Sequence, residues 1–267
     1  MMEGMRQRLC ALAVLALVAA ACQSVPYTNR SRVVLVSASE EKKLGEQAYA
    51  EVLKKGKVSA DREKVDMLRK IGRNLAKVAD KPDFQWEFNL LEDDKQINAF
   101  CLPGGKVAFY TGILPVTATE AGAAVVMSHE IAHALARHGA ERMSQGLVAQ
   151  TGGQLLGAVL GGGAGTAASN KLYEQLYGLG AGLVVLSYSR SQESEADHIG
   201  LILMQNAGYD LDEGIAFWGR MAKATEGKRS GGPLDKFLAT HPASQERQAQ
   251  IKKWIPEIKA KYPKSSP

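Results

Sequence analysis

Residues 127–138 read MSHEIAHALARH, and this short run leaves little choice of local structure. His129 and His133 are four apart with Glu130 beside the first, the spacing H-E-x-x-H. The flanks, AAVVM before and IAHAL through and after, are apolar, so the run predicts a helix with this face turned into the interior. Positions i and i+4 of a helix lie one turn apart on the same side, so both imidazoles point the same way. Two buried imidazoles without partners would be costly, and a shared metal ion removes that cost. Zinc binds histidine nitrogen well and keeps an open position for water in catalytic sites. Glu130 is turned aside just enough to meet the water rather than the ion, the general-base role of this pattern. The alternative, two helix-surface histidines beside a glutamate, fits the apolar flanks poorly.

A third ligand has to come from elsewhere in the chain. The stretch 189–200, SRSQESEADHIG, offers Glu193 and Asp197 four apart on one helical face, with Glu195 pointing elsewhere. One carboxylate can bind metal while the other takes the free N–H of a ligating histidine and so fixes its tautomer. A solvated acidic helix face is the alternative. His138, five residues after His133, falls off the metal-facing side of a continuous helix and reads as structural, as does His198.

Composition narrows the class of protein. With 267 residues, 45% of them hydrophobic, the chain can bury one well-packed core. The net charge of +5 is spread along the sequence, without the basic stripe or module that nucleic-acid binding requires. At the N-terminus, Arg6 and Arg8 precede an uncharged apolar stretch, 9–21, that is short for a membrane span and ends in small residues. Residues 1–21 therefore read as a secretory signal peptide. Small residues running into Cys22 resemble the lipobox of bacterial lipoproteins, in which that cysteine is acylated; a plain signal peptide cut near Ala21 is the alternative reading. Gln23 after it, rather than Asp, favours the periplasmic side of the outer membrane by resemblance to Gram-negative sorting. With Cys10 removed and Cys22 lipidated, Cys101 is a lone thiol and the mature chain has no internal disulfide.

Hydrophobic periodicity and capping signals divide the remainder. Residues 22–36 read as a lipid-anchored tether and first strand, and 37–267 as one domain. Ser37 with Glu40 predicts a helix to about residue 55, and a second runs from about 60 to 78. Residues 84–114 alternate around a Pro-Gly-Gly turn at 103–105 and predict a small antiparallel sheet. Thr117 with Glu120 marks the start of a long helix, about 118–143, that carries the histidines. Further helices are expected at 190–206, 211–225 and 243–260, with the turn ATHPAS between the last two. Eleven of the 27 glycines fall between 146 and 182, a stretch that reads either as an apolar cover or membrane-leaning segment near the site, or as two small-residue core helices.

Taken together, H-E-x-x-H, then S-R-x-x-E-x-E-A-D-x-x-G at 189–200, then T-H-P-x-x-x-x-R at 240–247 resemble the M48 family of zinc metallopeptidases, and most of all its Oma1-like branch of bacterial lipoproteins. V-P-Y-T-x-R-S after Cys22, I-N-A-F-x-L-P-G-G-K-V at 97–107 and A-R-H-G-A-E-R-M-S at 136–144 extend the resemblance over nearly the whole mature chain. Cys101 stands where the family commonly has Ala.

The resemblance implies an α+β, mainly helical zincin-like fold with a small antiparallel sheet. It implies one Zn2+ per chain held by His129, His133 and Glu193, with Asp197 behind His129 and Glu130 as catalytic base. Asn98, Ala99, Phe100, Cys101, Leu102 and Pro103 would form a strand edge that binds extended substrate through its backbone. His241 or Arg247 would stabilise the oxyanion. Separately from the resemblance, imidazole binds zinc well, so His241 would alternatively occupy the open metal position and hold the protein latent. The plain reading of His241 is a helix N-terminal turn residue before Pro242. The expected activity is endopeptidase cleavage of misfolded or misassembled cell-envelope polypeptides. Two rivals remain. One is a periplasmic chaperone or assembly factor for outer-membrane proteins with secondary or latent peptidase activity. The other is a zinc-stabilised structural domain, with His241 as a closing fourth ligand.

Overall fold

The computed structural model describes residues 22–146, 148, 188–225 and 232–263. The signal-peptide stretch and nearly all of the glycine-rich stretch lie outside the described residues. The chain opens with a two-stranded antiparallel ribbon, β1 (Cys22–Ser24) and β2 (Ser31–Val33). Helix α1 (Ala38–Lys55) starts on a complete capping box, in which Ser37 accepts from the Glu40 amide and Glu40 reaches back to the Ser37 amide. Helix α2 (Arg62–Val78) is capped by Asp61 and buries Leu68, Ile71 and Leu75, a one-face spacing that packs it on the core.

Strands β3 (Glu87–Leu91), β4 (Ala99–Leu102) and β5 (Lys106–Tyr110) form one sheet in the order β3-β5-β4. β4 and β5 are the expected antiparallel hairpin, turning through Gly104 and Gly105, both at positive φ, where glycine carries no Cβ penalty. β3 joins in parallel. The chain passes from β3 to the far edge before returning, so the returning strand fills the middle and runs alongside β3. The outer side of β3 is bridged by Val58 to Leu91. The outer edge of β4 pairs with no strand among the described residues.

A short helix, α3 (Leu114–Thr117), ends at Ala118, and the central helix α4 (Glu120–Leu135) begins on Thr119, whose side chain accepts from the Gly122 amide. The cap is thus Thr119 rather than Thr117, whose hydroxyl closes α3 on the Leu114 carbonyl. Every residue of α4 from Gly122 to Leu135 is buried, which places it at the centre of the molecule, as expected for a helix apolar all round. It packs between the sheet, α2 and α5 (Arg190–Asn206). The chain continues through α6 (Asp212–Thr225), α7 (Pro233–Thr240) and α8 (Gln245–Lys261). α7 precedes the expected turn, whose residues 241–244 are non-helical.

The long helix expected over 118–143 is broken. Arg137 sits at φ 51, after which residues 138–146 are helical again. The Arg137 guanidinium holds this break: Nε donates to Glu41 at 2.6 Å, Nη1 to Gln23 at 2.7 Å and Nη2 to the Val36 carbonyl at 2.8 Å. Among the described residues, no helix is long and apolar enough to cross a membrane.

Candidate active site

Helix α4 carries His129, Glu130 and His133, and α5 crosses it with Glu193 and Asp197 facing it. The crossing is close because Gly200 has no side chain; a Cβ there would lie 3.2 Å from the His129 backbone nitrogen. The glycine in E-x-E-A-D-x-x-G is therefore a spacing device that brings the two helices to metal-binding distance.

The imidazoles converge. His129 Nε2 and His133 Nε2 are 3.1 Å apart, and Glu193 lies 3.4 Å from the first through Oε2 and 3.3 Å from the second through Oε1. His241, which follows α7, enters the same point: its Nδ1 is 3.2 Å from His129 Nε2 and 3.2 Å from Glu193 Oε2. One donor atom from each of His129, His133, Glu193 and His241 lies within 4.8 Å of the others, and all four residues are buried. Glu130 stands beside this cluster, its Oε1 3.6 Å from His241 Nε2.

The proton positions show why this set fits a cation. His129 Nδ1 is 3.0 Å from Asp197 Oδ1, so it carries the hydrogen and leaves the Nε2 lone pair facing inward. His138 Nε2 is 3.0 Å from Glu195 Oε2 and donates to it, which leaves His138 Nδ1 as an acceptor. His133 Nδ1, 2.8 Å away, must then donate to His138, so the His133 Nε2 lone pair also faces inward. Two lone pairs at 3.1 Å, beside a carboxylate oxygen of Glu193 that has no hydrogen-bond partner, call for a positive charge between them, which a proton on His129 supplies when no metal is bound. A divalent metal supplies it, and two imidazoles with a carboxylate are a donor set that suits zinc.

Electrostatics follow the same geometry. Burial works against the Glu193 charge, but His241 and His129 outweigh it and hold the carboxyl far below the usual range. Burial pushes Glu130 up, only partly offset by His241 and His129, in the direction that suits a general base. Burial opposes protonation of His129 as well, yet the Glu193 charge and the Asp197 hydrogen bond raise its pKa to about 9 in the metal-free site. Burial lowers His133 well below its ordinary value.

Asp197 stands behind His129 as expected. Arg247 is committed to carboxylates: Nε and Nη2 grip Asp197, the latter at 2.7 Å, and Nη1 lies 3.1 Å from Glu193 Oε2. Its guanidinium carbon sits 3.5 Å from the centre of the Trp218 ring. In this position Arg247 neutralises Asp197 and Glu193. β4 lies against α4, and the Glu130 charge, after burial, helps push the Cys101 thiol up.

Several neighbours are not legible from spacing. Tyr188 stacks on His133 with ring centres 4.0 Å apart, and Trp218 lies edge-on to His129 at 6.2 Å. His138 and Glu195, expected to face elsewhere, are in hydrogen-bond reach of the site because of the break at Arg137. In a continuous helix His138 would point away; the left-handed residue turns it back.

A helix-borne histidine pair, a carboxylate from a crossing helix and a second carboxylate beside the metal position define a metallopeptidase site. The chain belongs to peptidase family M48, whose family model matches residues 62–255. It is 35% identical over 240 residues to the mitochondrial metalloendopeptidase OMA1 of Schizosaccharomyces pombe, spanning 89% of this chain and 67% of that protein. It is 33% identical over 254 residues to the protein of the same name from Saccharomyces cerevisiae, spanning 90% and 71%. It is 26% identical over 235 residues to the beta-barrel assembly-enhancing protease of Escherichia coli, spanning 86% of this chain and 46% of that longer protein.

Proposed function

We propose that this M48 metallopeptidase is a zinc endopeptidase of the cell envelope that cleaves misfolded or misassembled envelope proteins. It works from the periplasmic side of the outer membrane, held there by a lipid on Cys22, with 22–36 as the tether and entry strand that lead from the lipid onto the catalytic domain 37–267. The observation that carries the reading is the convergence of the His129 and His133 Nε2 atoms on Glu193, with the Glu130 carboxyl beside them. The name of the bacterial relatives, beta-barrel assembly-enhancing protease, supports a clientele in the envelope.

In this reading His129, His133 and Glu193 hold one zinc ion, and Asp197 keeps His129 in the right tautomer. Zinc, when bound, supplies Lewis acidity to water and to the scissile carbonyl. Glu130 takes the proton of the attacking water and delivers it to the leaving amine. The open edge of β4, with Asn98 and Pro103 at its ends, pairs with the substrate backbone. Such pairing reads few side chains, which suits unfolded chains of varied sequence.

The position of His241 supports a second reading. In this reading its Nδ1, 3.2 Å from both His129 Nε2 and Glu193 Oε2, takes the position on the metal that water would use, and the site is held latent until His241 moves. Between cleavage events the protein then acts as a chaperone for outer-membrane polypeptides on the same strand edge. A zinc-stabilised structural domain would need His241 to stay in place permanently.

The test is digestion of one outer-membrane β-barrel protein, presented unfolded and folded, by the purified protein with its metal content measured in parallel. Cleavage of the unfolded form alone, abolished by a chelator and restored by zinc, is expected. Equal cleavage of both forms, or indifference to the chelator, contradicts the proposal.

A further inference from the structure

The V-P-Y-T-N-R-S-R stretch after Cys22 has no part in the chemistry above, yet it reaches the site through Glu195, the partner of His138. Thr28 Oγ1 donates to Glu195 Oε1, and Arg30 Nε donates to Glu195 Oε2 at 2.8 Å. The other end of the Arg30 guanidinium is bidentate on Glu141, at 2.9 and 2.8 Å, and Glu141 in turn accepts from Gln192 at 3.0 Å. Arg30 thus ties α5 to the helical turns after His138. Arg32, which is buried, donates to the carbonyl of Ala136, the residue that ends α4 just before the break. Glu195, so held, accepts from His138 Nε2, and His138 Nδ1 accepts from His133 Nδ1. The turn that presents Thr28 places Tyr27 at φ 68 and Asn29 at φ 56, a conformation non-glycine residues hold only where their surroundings impose it.

We infer that segment 25–34 is a positioning element of the metal site: Thr28 and Arg30 fix Glu195, Glu195 fixes His138, and His138 holds His133 with its Nε2 lone pair toward the metal. The inference rests on the proposed role of His133 as a ligand. It gives His133 the same backing that Asp197 gives His129, through one extra imidazole and from a different part of the chain. If His138 no longer accepts the Nδ1 hydrogen, His133 is free to flip its ring or change tautomer, and loses basicity toward a metal. Loss of such a partner of a ligating histidine weakens metal binding about 10–100-fold.

The experiment is zinc affinity of the full mature chain, measured by competition with a chromophoric chelator, with the circular dichroism melt of each variant recorded without metal. The variants are His133→Ala, His138→Leu, His138→Gln, Arg30→Ala and Thr28→Val. A glutamine amide can accept from His133 through its oxygen and donate to Glu195 through its nitrogen, so it restores both contacts. The inference predicts that His138→Leu and Arg30→Ala weaken zinc binding by at least about tenfold while His138→Gln stays within a few-fold of wild type. Arg30, partly exposed, keeps the test decisive if His138→Leu fails to fold. If His133→Ala loses zinc while Arg30→Ala and a folded His138→Leu bind it as wild type does, the inference is overturned and the metal site stands. If His133→Ala itself binds zinc like wild type, His133 is no ligand and both readings fall.

Discussion

His241 Nδ1 lies 3.2 Å from Glu193 Oε2, so a residue delivered by the C-terminal helices shares the carboxylate that α5 contributes to the metal site. With His129 and His133 from α4, the site is assembled from three separate stretches of sequence, and one of them can close it. Its behaviour depends on which of these contacts are held and which move.

Replacing His241 with Ala opens the position now filled by its ring. Cleavage of unfolded casein is expected to rise severalfold if the ring caps the metal, with zinc affinity reduced by the loss of one nitrogen. A fall in turnover with unchanged zinc affinity indicates instead that His241 serves the reaction, as an oxyanion donor does. Initial rates and chelator competition on the same preparation separate the two.

Arg247 balances Asp197 and Glu193, all three buried. Arg247→Ala leaves two carboxylates without their cation, a change that costs about 3–5 kcal/mol when a buried pair is broken. The metal-free protein should unfold at markedly lower denaturant concentration, and zinc should recover part of the loss because it neutralises the same carboxylates. Denaturant melts with and without zinc provide the check.

Gly200 sets the approach of α5 to α4. A Cβ would lie 3.2 Å from the His129 amide nitrogen and 3.2 Å from the Ser128 carbonyl carbon, so Gly200→Ala is expected to push the two helices apart by a few tenths of an ångström. Gly200→Val overpacks the crossing, by about 1–3 kcal/mol, and moves Glu193 away from the histidines. Zinc affinity should fall with both substitutions, and further with the larger.

The metal-free site carries a pH signature. The His129 pKa, raised to about 9 against an ordinary value of 6.5, means that its protonated form stabilises the fold. That stabilisation is complete below about pH 6.5 and is lost as pH rises through about 9. Zinc has to displace this proton, so its affinity should climb between pH 7 and 9 with close to one proton released per ion at pH 7. Calorimetric titrations in buffers of different ionisation enthalpy measure that number directly. A release of zero at pH 7 contradicts the assignment.

Much of this was legible in the sequence for identifiable reasons. The i, i+4 spacings of His129 with His133 and of Glu193 with Asp197 are consequences of helix geometry, and both pairs fall on helices where the pattern put them. The Ser37–Glu40 capping box marked the start of α1, and Pro-Gly-Gly marked the hairpin. What periodicity does not encode is a break. Arg137 looks like an ordinary helical residue, yet contacts to Glu41, Gln23 and Val36 hold it left-handed, and this turns His138 toward His133. The same limit hid Glu195, whose partners Thr28 and Arg30 lie more than 160 positions away. The parallel placement of β3 likewise depends on where the hairpin docks, which strand patterning alone does not fix.

The most direct test of the central claim is casein cleavage by the zinc-loaded protein and by its Glu130→Gln variant, each also in the His241→Ala background. Glutamine keeps the shape of the side chain but cannot take a proton. The account predicts that both Glu130→Gln proteins retain zinc and lose cleavage by about 100-fold or more. Undiminished cleavage by the Glu130→Gln proteins, or no cleavage in either background with Glu130 present, would contradict it.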